Sequence, residues 1–217
     1  MKYRHLIWDF DGTLFDTYPR ICRAYQKALA DAGIVEEEGV LLRSVKKSLE
    51  YTNAWVGAKY GLTDEELWAG YRRHSEEEGY ETMRPYEGME SFLRDAAGQG
   101  CVHYLYTHRG VVSSTSALSH YGLLSLFKDH ITGEDGFPLK PAPDALNALI
   151  ARHQLDKADC VMIGDRELDV MAGVNAGIAS VAMDPDGLCP KGLPAPYASS
   201  YEELRTLILL DEGEKHV

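Results

Sequence analysis

The chain of 217 residues has no apolar run approaching the roughly 20 residues needed to cross a bilayer, so no segment reads as a membrane helix. Basic residues are scarce: 22 Lys and Arg stand against 34 Asp and Glu, for a formal net charge of −12. A nucleic-acid polymer needs clustered Lys and Arg at its phosphates, so this balance argues against one as partner. A small phosphorylated molecule stays open, provided that local cations offset the acidity at its site. Only four cysteines are present, Cys22, Cys101, Cys160 and Cys189, and no two form a C-x-x-C pair. They read as reduced thiols, not as a zinc site or a disulfide framework. Internal repeats and low-complexity tracts are missing. Met1-Lys2-Tyr3-Arg4 leads directly into an apolar stretch with no room for a signal peptide, so the expected location is cytoplasmic.

What is present is an ordinary globular composition, 45% hydrophobic and 26% charged, and enough length for one large domain or a core with an insert. Near the N-terminus, Leu6-Ile7-Trp8 suits a buried strand and ends in two carboxylates one residue apart, Asp9 and Asp11, followed by Gly12. Side chains alternate along a strand, so the two acids can start out on one side. Carboxylates held together repel one another, and a protein tolerates that with a cation or a shared proton between them. A turn is the plain alternative, since Asp and Gly are common turn formers.

From Pro19 to about Gly79 the spacing is helical. Ile21, Ala24, Tyr25, Ala28 and Leu29 mark one helix, and Val40 to Leu49, Tyr51 to Tyr60 and Thr63 to Glu78 mark others, the last opened by a capping box at Thr63 and Glu66. After Pro85 strands and helices alternate. Helices are expected over Gly88 to Ala97, Val111 to Tyr121, Asp144 to His153, Leu168 to Asn175 and Tyr201 to Leu210. Strands are expected over Cys101 to Tyr106, His130 to Thr132, Cys160 to Ile163 and Ile178 to Met183, the last completing the set. A polar tail follows from Asp211. The fold class is α/β, a mostly parallel sheet covered on both faces and interrupted by an all-helical insert. Ligands bind at the carboxyl ends of such strands, and there lie Asp9, Asp11, Thr107 and Asp165, with Lys140 on a later loop.

The segment Asp9-Phe10-Asp11-Gly12-Thr13-Leu14-Phe15-Asp16-Thr17 resembles the first motif of the haloacid dehalogenase superfamily. The likeness continues in Thr107 after Tyr104-Leu105-Tyr106, in Lys140 within Phe137-Pro138-Leu139-Lys140-Pro141, and in Gly164-Asp165-Arg166-Glu167-Leu168-Asp169. It extends over nearly the whole chain and is best to phosphoglycolate-phosphatase-like members. It implies a Rossmann-like core of residues 1–16 and 85–217 and a helical cap of residues 17–84 that closes over the site. It further implies Asp9 as nucleophile, Asp11 as general acid and base, Thr107 holding the phosphoryl group, and Lys140 neutralising phosphoryl group and nucleophile. Magnesium is implied as cofactor, on Asp9, Asp165 and the backbone carbonyl of Asp11, with Asp169 supporting the metal shell. Thr13 is expected to orient Asp11 and the turn. The superfamily's dehalogenases lack the second Asp, so Asp11 argues for phosphoryl chemistry.

His108 and Arg109 depart from the small or amide residues often found after the family's second motif. Arg109 has the fork for a bidentate contact with a substrate phosphate or carboxylate, and His108 for shaping the pocket. Arg166 replaces a smaller residue and can pair with Glu167 or Asp169. The expected activity is a phosphatase acting on a small phosphorylated metabolite, as a monomer or homodimer, without nucleic acid or membrane. A phosphotransferase such as a sugar phosphomutase shares every core motif and is the alternative. A non-catalytic binding protein is a third reading that the intact Asp9, Asp11, Lys140 and Asp165 disfavour.

Overall fold

A computed structural model describes residues 2–209 of the chain. It divides into two compact units, one of Met1–Phe15 together with the chain from Pro85 on, the other Asp16–Arg84. In chain order the elements begin with strands β1 (His5–Trp8) and β2 (Phe15–Asp16), then helices α1 (Tyr18–Asp31), α2 (Glu38–Val45), α3 (Leu49–Tyr60) and α4 (Asp64–Glu76). There follow β3 (Arg84–Pro85), α5 (Met89–Gly98), β4 (Val102–Tyr106), α6 (Val111–His120), β5 (Phe127–Ile131) and α7 (Asp144–His153). The chain continues with β6 (Cys160–Gly164), α8 (Glu167–Ala176), β7 (Ala179–Met183), β8 (Tyr197–Ala198) and α9 (Tyr201–Ile208).

The first unit is built on a six-stranded sheet in the order β5-β4-β1-β6-β7-β8, parallel at every pairing. Alternation along the strands sends neighbouring residues to opposite faces. Ile7, Tyr104 and Met162 pack with Leu146 and Leu149 of α7 and Ala172 of α8. Trp8, one residue on from Ile7, instead meets Phe92 of α5 at 5.6 Å and Tyr201 of α9 at 6.2 Å between ring centroids. The central strands are therefore buried on both sides, as their unbroken apolar runs require. All four cysteines are buried, and none is in a disulfide. Burial pushes the Cys22 thiol up to about 12 and Cys160 up to about 11, which leaves them as inert core residues.

The second unit is helical, and its core joins Tyr18, Ile21, Tyr25 and Leu29 of α1 to Leu41, Val45, Val56 and Leu67. A side chain at Gly70 of α4 would place its Cβ 2.9 Å from that of Ala28, so glycine is what lets α4 lie against α1. Thr63 and Glu66 form the reciprocal capping box. Arg20 donates to the carbonyls of Ser75, Glu78 and Gly79 (3.0 Å for the last), acceptors that the end of α4 leaves open.

Three expectations are corrected. The helix expected over Val40 to Leu49 stops at Val45, because Ser48 caps a new helix by accepting the Tyr51 N–H at 2.9 Å. The strand expected at His130 begins three residues earlier, at Phe127. Met183 does not end the strands: Tyr197–Ala198 adds a sixth to the sheet, and Phe15–Asp16 pairs with Arg84–Pro85 as a separate ribbon. Two-residue strands carry no periodicity to read. Leu210 and the tail from Asp211 lie outside the described residues.

Candidate active site

The sheet brings the motif residues together at one end. The ladder runs one residue past β1 and β4, with Asp9 N–H donating to the Ile163 carbonyl at 2.9 Å and Thr107 N–H to that of Ile131 at 3.0 Å. Asp165 follows the last residue of β6. Gly12, at φ +75°, turns the chain away after Asp11 in a conformation that other residues rarely adopt. Gly164 answers a different need: a Cβ there would lie 2.2 Å from the Asp169 side chain.

Lys140 is the hub. Its ammonium donates to Asp9 Oδ1 at 2.6 Å, Asp169 Oδ1 at 2.7 Å and the Tyr106 carbonyl at 2.9 Å, which uses all three of its protons. Its side chain is fully buried. Burial works against the charged ammonium, but Asp169 and Asp9 outweigh it and its pKa is raised. The two carboxylates go opposite ways. Asp169 has both oxygens hydrogen-bonded, Oδ1 to Lys140 and Oδ2 to the Arg166 N–H at 3.0 Å, and although burial raises it, Lys140 and Arg166 hold its carboxyl below the usual range. Among the described residues, Asp9 accepts one hydrogen bond through Oδ1 and none through the buried Oδ2. Burial, reinforced by the Asp169 charge, pushes it up to about 7 against the pull of Lys140 and Arg166.

Asp9, Asp165 and Asp169 are all buried and offer oxygens within 4.8 Å of one another. These donors fit a hard cation that prefers carboxylate oxygens, and Asp9 Oδ2 is a buried acceptor with capacity to spare. Both Asp169 oxygens are already engaged, by Lys140 and by the Arg166 N–H.

Asp11 has a cation of its own. Arg109 Nε donates to both of its carboxylate oxygens at 3.2 Å and Nη2 to Oδ1 at 2.5 Å, while Nη1 reaches Ser113 Oγ at 2.9 Å. The guanidinium lies 5.3 Å from the Phe10 ring centroid. The Asp9 and Asp11 charges are thus answered separately, by Lys140 and Arg109. Sequence reasoning had aimed Arg109 at substrate and missed this pair, which joins residues 98 positions apart. Thr107, buried, accepts the Arg109 N–H through Oγ1 at 3.1 Å. His108 accepts the Lys140 backbone N–H on Nε2 at 2.9 Å and is pushed down to about 3, first by burial and then by Lys140 and Arg166. The buried Thr13 hydroxyl makes no hydrogen bond among the described residues, and the Thr13 carbonyl, in the turn after Asp11, accepts the Tyr201 hydroxyl at 2.7 Å. No motif announces Tyr201, which sits 188 residues from the loop it braces.

Residues 6–183 match the family model described as haloacid dehalogenase-like hydrolase. A phosphoglycolate phosphatase from Cereibacter sphaeroides is 32% identical over 180 residues, 80% of this chain and 81% of the relative. One from Vibrio parahaemolyticus is 27% identical over 192 residues, 82% of each protein. Among solved structures, a haloacid dehalogenase-like family hydrolase from Streptococcus pneumoniae superposes with a TM-score of 0.81 at 18% identity, covering 95% of this chain and 98% of its own. The four motifs at one sheet edge, the helical insert after the first of them and these likenesses have one reading: the chain belongs to the haloacid dehalogenase-like hydrolases, on their phosphoglycolate-phosphatase-like side.

Proposed function

We propose that this protein is a magnesium-dependent phosphatase that cleaves a small phosphorylated metabolite through an aspartyl phosphate on Asp9. The observation that carries the reading is the state of Asp9: one oxygen is fixed by Lys140, and the other is buried without a hydrogen bond beside Asp165. A carboxylate raised to about 7 is a poor nucleophile until more positive charge reaches it. Asp9 Oδ2, Asp165 and the Asp11 carbonyl would hold the magnesium, and Asp169 would support them. When bound, the ion supplies the charge that keeps Asp9 ionised and lets an anionic phosphate approach it.

This chain's own residues supply the rest. Thr107 and Arg109, just past β4, present donors to the phosphoryl oxygens, and Lys140, its three protons already engaged, adds positive charge beside them. Asp9 attacks phosphorus and displaces the leaving alcohol, which takes a proton from Asp11. Asp11 then receives a proton from the water that hydrolyses the aspartyl phosphate. Phosphoglycolate, on which the named relatives act, heads the list of substrates.

The test is release of inorganic phosphate from a panel of phosphorylated metabolites, with magnesium and with a chelator. Wild-type enzyme should turn over only with the metal, and Asp9→Asn should abolish turnover. Appreciable activity in metal-replete Asp9→Asn would refute the nucleophile.

A further inference from the structure

A second cation lies over the acidic cluster. Arg166 Nη2 is 3.9 Å from Asp9 Oδ2, and Nε is 3.9 Å from Asp165 Oδ1 and 3.6 Å from Asp169 Oδ2. Its side chain is only 13% exposed. Arg166 stands at the N-cap position of α8, and its backbone N–H is held by Asp169 Oδ2 at 3.0 Å. These separations are too long for hydrogen bonds but close enough for strong charge interaction where water is excluded. Arg166 therefore faces all three acids at once, whereas Lys140 bonds two of them.

Charge counting gives this position a consequence. With the three carboxylates ionised, Lys140 and Arg166 leave one net negative charge. A divalent cation turns that to one positive, which attracts a phosphate dianion. Without Arg166 the cluster carries two negative charges, binds the cation more strongly, and is then neutral toward phosphate. We propose that Arg166 is a charge-balancing residue that weakens divalent-metal binding in the absence of phosphate and strengthens phosphate binding once the metal is in place. The proposal rests on the metal and phosphate site set out above and deepens it. It makes the ion exchangeable between turnovers and ties its useful residence to the presence of substrate.

Opposite effects on the two ligands are the signature, because a merely structural role would weaken both. The probes are magnesium chloride alone and inorganic phosphate at saturating magnesium, each followed by calorimetry on the full chain. Arg166→Ser removes the charge and leaves a residue well suited to cap α8; Arg166→Lys keeps the charge. Arg166→Ser should bind magnesium on the order of tenfold more tightly and phosphate on the order of tenfold more weakly, a change of about one decade each way. Arg166→Lys should stay close to wild type in both, and Arg166→Gln, which removes the charge and keeps more of the bulk, should repeat the opposite shifts if the serine variant folds poorly. Loss of both affinities in Arg166→Lys, or unchanged or jointly weakened binding in Arg166→Ser, overturns it. A wild-type protein that binds no magnesium overturns the metal reading itself and this inference with it.

Discussion

Lys140 Nζ lies 2.6 Å from Asp9 Oδ1, joining residues 131 positions apart in a fully buried ion pair. Taking two such charges out of water is costly, and the pair is tolerable because Asp169 and the Tyr106 carbonyl satisfy the remaining protons. Its effect is to aim one oxygen of Asp9 at the lysine and leave the other for a different cation.

Removing the ammonium leaves Asp9 and Asp169 facing each other in the interior. Lys140→Met should lose about 3 kcal/mol of stability in urea unfolding, the lower end of the cost of breaking a buried pair. Its turnover should fall below detection under saturating magnesium. Activity within about tenfold of wild type would show that the ammonium is dispensable to the chemistry.

Arg109 can serve Asp11, the substrate, or both, and steady-state kinetics separate these. Its fork and its stacking over Phe10 are features lysine cannot reproduce. Arg109→Lys is therefore expected to lower kcat by at least about tenfold, as Asp11 loses its orientation. A rise in KM with kcat unchanged would place the guanidinium on the substrate alone. An unchanged KM with Arg109→Ala for every accepted substrate would remove the substrate contact.

His103 sets a pH limit on stability. Its Nδ1 accepts the Trp8 indole N–H at 3.0 Å and its Nε2 donates to the Leu93 carbonyl at 2.9 Å, so the ring is built in as the neutral Nε2–H form. Burial pushes its pKa from 6.5 down to about 4, against a smaller opposing pull from the Leu93 carbonyl. The unfolded chain binds a proton below about 6.5 that the fold refuses, so this contribution is complete above that pH and is lost as pH falls toward 4. The full loss is about 3 kcal/mol. His108, lowered in the same sense, adds to the trend. Unfolding free energies at pH 7.5 and pH 5 should therefore differ more for wild type than for His103→Gln. Equal differences in the two proteins would rule out the assignment to His103.

The strands and helices of the first unit were legible where an apolar run or a helical period marks them, which the polar start of β5 at Phe127–Lys128–Asp129 does not do. The helix over Asp144–His153 stands at the expected residues, and Trp8 ends the first strand as its apolar run implies. The boundary between the second and third helices was misread because Ser48 acts through one cap hydrogen bond, which periodicity does not show. The two-residue strands were missed because their register comes wholly from their partners.

Asp9, Asp11, Thr107, Lys140 and Asp165 were singled out in the sequence by their place just past apolar runs or before a helix taken together with the resemblance to the family's four motifs. Lys140 beside Asp9 and Arg166 beside Asp169 were expected from the sequence. What the tertiary structure alone decided is that Lys140 also bonds Asp169, that Arg109 goes to Asp11, that Arg166 faces Asp9 and Asp165 as well, and that Tyr201 braces the Thr13 carbonyl from the far end of the chain. A side chain's type is local, but its partner depends on how strands far apart in sequence line up in one sheet, and electrostatic energy at 3 to 4 Å depends steeply on that arrangement.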